Sequence, residues 1–373
     1  MSSAGEGLPL RTGVRPVGVL SADSRVDMAD IDVVAPNLKR RLSGVTSSIV
    51  QLVPVQARSI GIATLGPGLP TTLPHMRWWQ LPALFVRPRS GRRRIWHARR
   101  NVEMIAGIVL GKVLRAPLRL VFTSAAQRHH KPFTRWLIRR MDAVIATSAR
   151  SGRFLEVPHT VVMHGVDTEK FHPARAPEDG FEAADLSGRY AIGCFGRVRH
   201  QKGTDLFVDA MIALLPLYPE WTAVITGRVT VENQAFARDL QARIAVAGLT
   251  QRIRFLGEVP DVAVWYRRVT IYVAPSRNEG FGLTPLEAMA SGTAVVASDA
   301  GAFAELVQPG VTGAVVPAGD GTALTAAIEP YLRDPERAAR HGQAGIDLVA
   351  RKFPLTREAA GVLAVYEKVW SAG

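Results

Sequence analysis

The sequence predicts an α/β fold of two doubly wound, parallel-sheet domains, and three observations predict it. Short apolar runs alternate with segments of helical periodicity along most of the chain, the pattern of parallel strands covered by helices on both faces. A polar, Pro-rich stretch, FHPARAPEDG (171–180), breaks that rhythm near the middle, and it restarts at RYAIGCFGR (189–197). The length of 373 residues suits two domains of about 150 residues each with a terminal extension.

Residues 1–29 are rich in Gly, Ser, Pro and Asp, lack the apolar core of a signal peptide and read as a flexible tail. A first domain over 30–172 has strand candidates at 31–36, 59–66, 94–98, 118–124, 142–148 and 160–167, with a helix-like segment at 47–57. Residues 173–188 read as a linker. In the second domain, 189–354, strands are expected at 189–197, 221–227, 252–257, 270–276 and 293–299. Residues 355–373 carry apolar side chains at helical spacing and read as a closing helix that packs back on the first domain. Ligands of such sheets bind at the carboxyl ends of the strands, which puts the expected site in a cleft between the domains.

A chain that is 47% hydrophobic and 21% charged is not a disordered one. No apolar run approaches the roughly 18–20 residues of a spanning helix. The single cysteine, Cys194, cannot form an internal disulfide, and a reducing cytoplasm is its expected compartment. The net charge of +14 is uneven. Residues 1–172 hold 26 Lys and Arg against 10 Asp and Glu, a net +16, whereas 173–373 hold 20 against 22, a net −2. A basic half beside a near-neutral half implies a polyanionic partner: nucleic acid, anionic lipid or a phosphorylated glycolipid.

The most informative stretch is NEGFGLTPLEAMASG (278–292). A strand-like run ends at Ala274, a polar glycine loop follows, and a helix is expected to start near Pro285, since proline suits the first turn. The N–H groups of Gly282, Leu283 and Thr284 then surround a positive helix end that favours a phosphate or sugar oxygen. Glu279 precedes the turn and Glu287 lies one turn inside the helix, so one carboxylate faces the loop and the other a ligand along the helix. A second motif, CFGRVRHQKG (194–203), ends a strand at Gly196 and flanks the next loop with Arg197 and Lys202. A planar fork and a point charge suit diphosphate oxygens in complementary ways. Singly, these motifs also read as a charged surface loop and a helix-capping carboxylate. In order within one domain, they reinforce each other.

The ordered set GRVRHQKG, ITG, FLGEV, APSRNEGFGLTPLEAMASGTAVVASDAGAFAELV and GVTGAVV resembles the GT-4 family of retaining glycosyltransferases, over roughly residues 30–372 and most specifically over 190–320. In the first half, APNLKRRLSGVTSSIVQLVPVQA, IWHARRN, FTSAAQR and FTRWLIRRMDAVIATS look like the lipopolysaccharide-core mannosyltransferases of alphaproteobacteria, which use GDP-mannose. The resemblance implies the GT-B fold, two facing Rossmann-like domains with an interdomain cleft. It also implies transfer of mannose from GDP-mannose to the lipopolysaccharide inner core or a lipid A precursor. UDP-glucose or UDP-galactose with another glycan acceptor is the alternative. A nucleotide-sugar 2-epimerase shares the fold, and a nucleic-acid-binding protein would answer the charge but lacks a recognisable module.

Residue by residue, the resemblance assigns Arg197 and Lys202 to the donor diphosphate and makes them, with Glu279, the catalytic set. Glu279 would hold hydroxyls of the transferred sugar, assisted by the N–H groups of Gly280, Phe281 and Gly282, and Glu287 would accept bonds from the ribose. The base would lie near the FLGEVP loop (255–260), at Val259. Gly44 matches a first-domain glycine loop, where relatives often carry two glycines and this chain has Ser43-Gly44. Relatives also carry a histidine near the reacting sugar. Here Ser124 aligns with it, and His97, His129 and His130 are the nearby imidazoles, although a lone histidine is more often a structural hydrogen-bonder. The implied route is front-face attack with retention, the departing diphosphate accepting the acceptor's proton. Arg197, Lys202 and the helix end would stabilise the leaving group with no metal and no cofactor beyond the nucleotide sugar. The one Asp-x-Asp, Asp30 to Asp32, precedes the first strand.

The basic half suggests where an acceptor or membrane meets the protein. Residues 77–96 place Trp78, Trp79, Leu81, Leu84 and Phe85 beside Arg87, Arg89, Arg92, Arg93 and Arg94, and 131–141 set Phe133, Trp136, Leu137 and Met141 among cations. Such segments lie at anionic interfaces, or their aromatics are core and their arginines a solvated face. Arg92, Arg93, Arg94, Arg128 and His129 are the expected acceptor and membrane contacts. The expected location is the cytoplasmic face of the inner membrane.

Overall fold

A computed structural model describes residues 26–39 and 44–372. The first sheet contains β1 (Val33–Pro36), β2 (Ile62–Leu65), β3 (His75–Met76), β4 (Arg94–Ala98), β5 (Leu118–Ser124), β6 (Ala143–Ala146) and β7 (Thr160–Val161). With them run α1 (Gly44–Gln56), α2 (Asn101–Ile108, continued by one π-helical turn over Val109–Val113), α3 (Pro132–Ile138) and α4 (Ala149–Gly152). The second sheet contains β8 (Tyr190–Phe195), β9 (Trp221–Thr226), β10 (Ile253–Gly257), β11 (Ile271–Ala274), β12 (Ala294–Ser298) and β13 (Gly313–Val316). Its helices are α5 (Thr204–Leu214), α6 (Gln234–Val246), α7 (Val262–Arg268), α8 (Thr284–Ala290), α9 (Phe303–Leu306), α10 (Gly321–Arg333) and α11 (Pro335–Lys352), and the chain closes with α12 (Leu355–Ser371).

The sheet orders are β3-β2-β1-β4-β5-β6-β7 and β10-β9-β8-β11-β12-β13. The recorded strand pairings are all parallel. Each order reverses direction once, at β1/β4 and at β8/β11, the doubly wound arrangement whose switch point opens a crevice at the strand ends. Side-chain alternation explains why the strands are apolar throughout. Ile192, Ile225, Val273 and Val296 enter the core on one face of the second sheet, and Ala191, Val224, Tyr272 and Val295 the core on the other.

The chain divides into two units, one from the described parts of 1–123, 133–144 and 359–373, the other from 124–132 and 145–358. In the first unit, the end of α12 docks on β4 and the turn before it. The Tyr366 hydroxyl lies 2.6 Å from His97 Nδ1, and Trp370 Nε1 donates to the Arg93 carbonyl at 2.8 Å. Two stretches differ from expectation. Of the tail assigned to 1–29, residues 1–25 lie outside the described residues, but Val26 and Met28 are buried and Met28–Asp30 form a turn capped by Asp27. Apolar side chains hold that end down. In the 173–188 segment, Phe181 and Leu186 pack on the second unit's core and Arg267 pairs with Asp179 at 3.3 Å, so this stretch is a strap.

Candidate active site

The second sheet reverses order between β8 and β11, and the loops leaving those strands carry both charged motifs. Gly203, the N-cap of α5, has φ +70°, and a Cβ there would lie 1.9 Å from the Pro275 carbonyl oxygen. Only glycine lets the two loops approach so closely. Arg277 then ties them: its N–H donates to Gln201 O (2.9 Å), its guanidinium to His200 O (2.8 Å), and both of its terminal nitrogens to the Asp205 carboxylate (2.7 and 2.8 Å). Burial pushes the Asp205 pKa up, yet Arg277 outweighs it and holds the group below the ordinary carboxylate range.

Within this frame, Lys202 and Glu279 meet: Nζ donates to Oε2 at 2.5 Å, with both side chains 18% exposed. Ser276 Oγ donates to the same oxygen at 3.4 Å. The Lys202 stem passes over Gly196, 3.7 Å from where a Cβ would stand. Arg197 follows Gly196, half-buried. Gly282 has φ +84°, and a Cβ there would strike the Phe303 ring, so the Gly280–Gly282 turn needs glycine for conformation and space. Gly280 is partly exposed and Phe281 buried. Leu283 is the N-cap of α8, without a side-chain cap bond, and Thr284 opens the helix. Glu287 sits one turn in, accepting a hydrogen bond from Tyr266 at 3.0 Å. Burial raises the Glu287 pKa, against the opposing effects of Tyr266, Lys170 and Lys202. Val259 is half-buried in the loop after β10; Gly227 N, after β9, donates to Gly257 O at 2.7 Å and brings that loop alongside.

Several groups around this site were invisible in the sequence. His164 follows β7, its Nδ1 2.7 Å from Glu358 Oε1, and Glu358 Oε2 accepts from Gly165 N–H at 2.8 Å. The imidazole packs edge-on against Phe281, ring centres 4.8 Å apart. Tyr266 and Arg277 are likewise new, although Arg277 stands one residue before the NEGFG motif.

Elsewhere the placements are mixed. Gly44 begins α1, and no atom crowds its Cβ position; Arg40–Ser43 of the expected glycine loop lie outside the described residues. His97 is fully buried between Tyr366 and Thr123 (2.7 Å to Oγ1), and burial holds its pKa well below that of free histidine, so it is a neutral structural group. Ser124 Oγ lies 3.3 Å from His130 Nε2. His129 is exposed and edge-on to Phe154, and Arg128 is exposed. Arg94 departs from its expected role in acceptor or membrane contact. It is 1% exposed and donates to the carbonyls of Met28, Ile31, Ala83 and Val86 at 2.7–2.9 Å, a clamp for the start of the first sheet. Arg92 pairs with Glu367 at 3.0 Å and lies over the Trp370 ring, and Arg93 is exposed.

Two doubly wound parallel sheets make the GT-B fold of glycosyltransferases, and the Lys202–Glu279 pair stands at the switch point of the second sheet. Residues 189–334 match the family model for glycosyl transferases group 1. Solved structures of the same fold include Anabaena HepE in complex with UDP and glucose (17% identity, TM-score 0.74, 90% of this chain and 99% of that one). Sucrose-phosphate synthase of Thermosynechococcus elongatus is another (19%, 0.75, 91% and 99%). The chain is 64% identical over 344 residues to the lipopolysaccharide core biosynthesis mannosyltransferase LpcC of Rhizobium leguminosarum bv. viciae, covering 92% of this chain and 98% of the relative. It is 52% identical over 352 residues to LpsB of Rhizobium meliloti (strain 1021), likewise described, covering 92% and 99%. The chain belongs to this family of glycosyltransferases.

Proposed function

We propose that this protein transfers mannose from GDP-mannose, with retention, to a sugar of a lipopolysaccharide inner core or lipid A precursor, as a peripheral protein on the cytoplasmic face of the inner membrane. The observation that carries the donor half is the Lys202–Glu279 pair at the β8/β11 switch point, with Arg197 in the loop after β8 and Glu287 in the first turn of α8. The names of the two Rhizobium relatives support the sugar and the acceptor class. Among the described residues no helix is long and apolar enough to cross a membrane.

In the proposed reaction the bond from the sugar's anomeric carbon to the diphosphate oxygen breaks as the acceptor hydroxyl adds from the same face, and the departing oxygen takes the hydroxyl proton. Lys202 and Arg197 stabilise the growing diphosphate charge, the part a divalent cation plays in other transferases. Glu279 orients the sugar hydroxyls and Glu287 the ribose. No double-displacement nucleophile is required.

The test offers the purified protein GDP-mannose, UDP-glucose and UDP-galactose, each with a truncated lipopolysaccharide acceptor. Transfer from GDP-mannose alone, giving an α-linked product by NMR, is the expected result. Transfer from a UDP-sugar in preference would replace the donor, and a β-linked product would overturn the front-face route.

A further inference from the structure

Helix α2 with its π-turn has two apolar faces. Inward, Met104 and Glu103 are buried, and Gly107 fits so closely that a Cβ would lie 2.6 Å from Trp96 Cδ1. Outward, Val102, Ile105, Val109 and Val113 recur at helical spacing, and they and Leu114 are 37–66% exposed. A surface helix ordinarily turns one apolar stripe to the core and a polar one to water. This second stripe has no burial to account for it among the described residues.

Helix α3 lies beside it, Asn101 Nδ2 donating to Thr134 Oγ1 at 2.7 Å. There, Thr134, Leu137 and Ile138 turn inward, while Phe133 (55% exposed) and Trp136 (45%) face outward, stacked 6.0 Å apart. The Arg140 guanidinium covers the Trp136 ring at 3.5 Å. Residues 99–142 hold ten Lys and Arg against two acids. Both acids are engaged: Glu103 is buried against Arg100, and Asp142 bonds the Leu120 N–H and Arg119. Lys112, Arg115, Arg139 and Arg140 are exposed.

We propose that this outward face of α2 and α3 is where the protein sits on an anionic bilayer, the apolar stripe and the two rings entering the headgroup boundary and the cations meeting lipid phosphates. The proposal rests on the peripheral reading above and specifies its surface. Aliphatic and aromatic side chains rimmed by Lys and Arg are the composition of interfacial helices. A second copy of the chain would bring the same cations face to face and is disfavoured by repulsion. The Trp78–Val86 segment is the less suitable seat, because three of its neighbouring arginines are engaged within the protein: Arg94 on carbonyls, Arg89 on Asp27 and Asp30, and Arg92 on Glu367.

The experiment is flotation of the full chain with vesicles of phosphatidylcholine, with and without phosphatidylglycerol, at low and high salt. Three variants are compared with the parent: I105S/V109S/W136S, R139E/R140E, and W78S/W79S. Thermal melting and transfer to a soluble truncated acceptor check that each is folded. The parent should float with the anionic vesicles and be released by salt. The first two variants should lose about tenfold or more in binding while keeping soluble-acceptor activity, and the third should bind like the parent. If the parent binds and the first two variants bind equally well, this face is not the seat, although the peripheral reading stands. A parent that floats with neither vesicle overturns that reading, and this proposal with it. If the parent sediments as a dimer that I105S/V109S/W136S dissociates, the face belongs to a second copy and the proposal fails.

Discussion

Glu287 occupies surroundings that work against its own charge. Burial raises its pKa despite the hydrogen bond from Tyr266. A carboxyl that keeps its proton to higher pH in the folded chain than in the unfolded one stabilises the fold below the ordinary carboxylate range, and that contribution is lost as pH rises through the raised value. At neutral pH the ionised group is therefore a cost. Glu287→Gln should raise the melting temperature at neutral pH and leave it unchanged in acid, while weakening GDP binding in calorimetry; Glu279→Ala should cut turnover more than GDP affinity. An unchanged melting point with weakened binding would mean that the charge is well solvated. The His164–Glu358 pair offers a second check. A double-mutant cycle with His164→Phe, which keeps the ring against Phe281, and Glu358→Gln should return a coupling of about 1–3 kcal/mol in denaturant unfolding. Lys202, Glu279 and Glu287 could be picked out as candidates because their motifs follow in order within one domain, and the structure brings Lys202 and Glu279 together. Arg94 was misread because three successive arginines look like one charged face, and its carbonyl partners come from residues far away in the chain. His164 and Glu358 stand 194 positions apart, with no local pattern to join them.

At the scale of elements, the approach of the α5 start to the end of β11 is held by one missing atom. Gly203→Ala would place a methyl 1.9 Å from the Pro275 carbonyl at a backbone φ of +70°, so the two loops must part. The expected result is a destabilisation of about 2–4 kcal/mol with a larger fall in donor binding, read by melting and by calorimetry; a variant with parent-like stability and affinity would show that the loops yield freely. The strands of both sheets were readable because buried parallel strands are apolar on both faces. β3, two residues long, and β13, with its Gly-Ala opening, carry no such run. Helix α8 starts at Thr284, beside the proline that marked it. Strand order was not readable, since alternation of apolar runs says which segments are strands and not which are neighbours. The switch point, and so the reason the two motifs share a crevice, comes from that order.

For the whole molecule, the role proposed for Arg197 and Lys202 in place of a metal predicts that transfer survives excess EDTA; a loss restored by Mg²⁺ or Mn²⁺ would mean that the two cations do not suffice. The uneven charge, readable by counting, made a polyanionic partner the expectation but could not say which arginines face outward. Helix α12 carries one more implication, for the protein's birth on the ribosome. His97, in the fourth strand of the first sheet, is matched by Tyr366, and the Arg93 carbonyl by Trp370. The unit that starts the chain therefore lacks its last pieces until residue 370 has been made. The other unit ends at Glu358, so its last residues are made before Tyr366 and Trp370. Synthesis from the N-terminus usually favours the leading domain; here the first half to emerge is the last to close, and it waits with Nδ1 of His97 still without its hydroxyl partner.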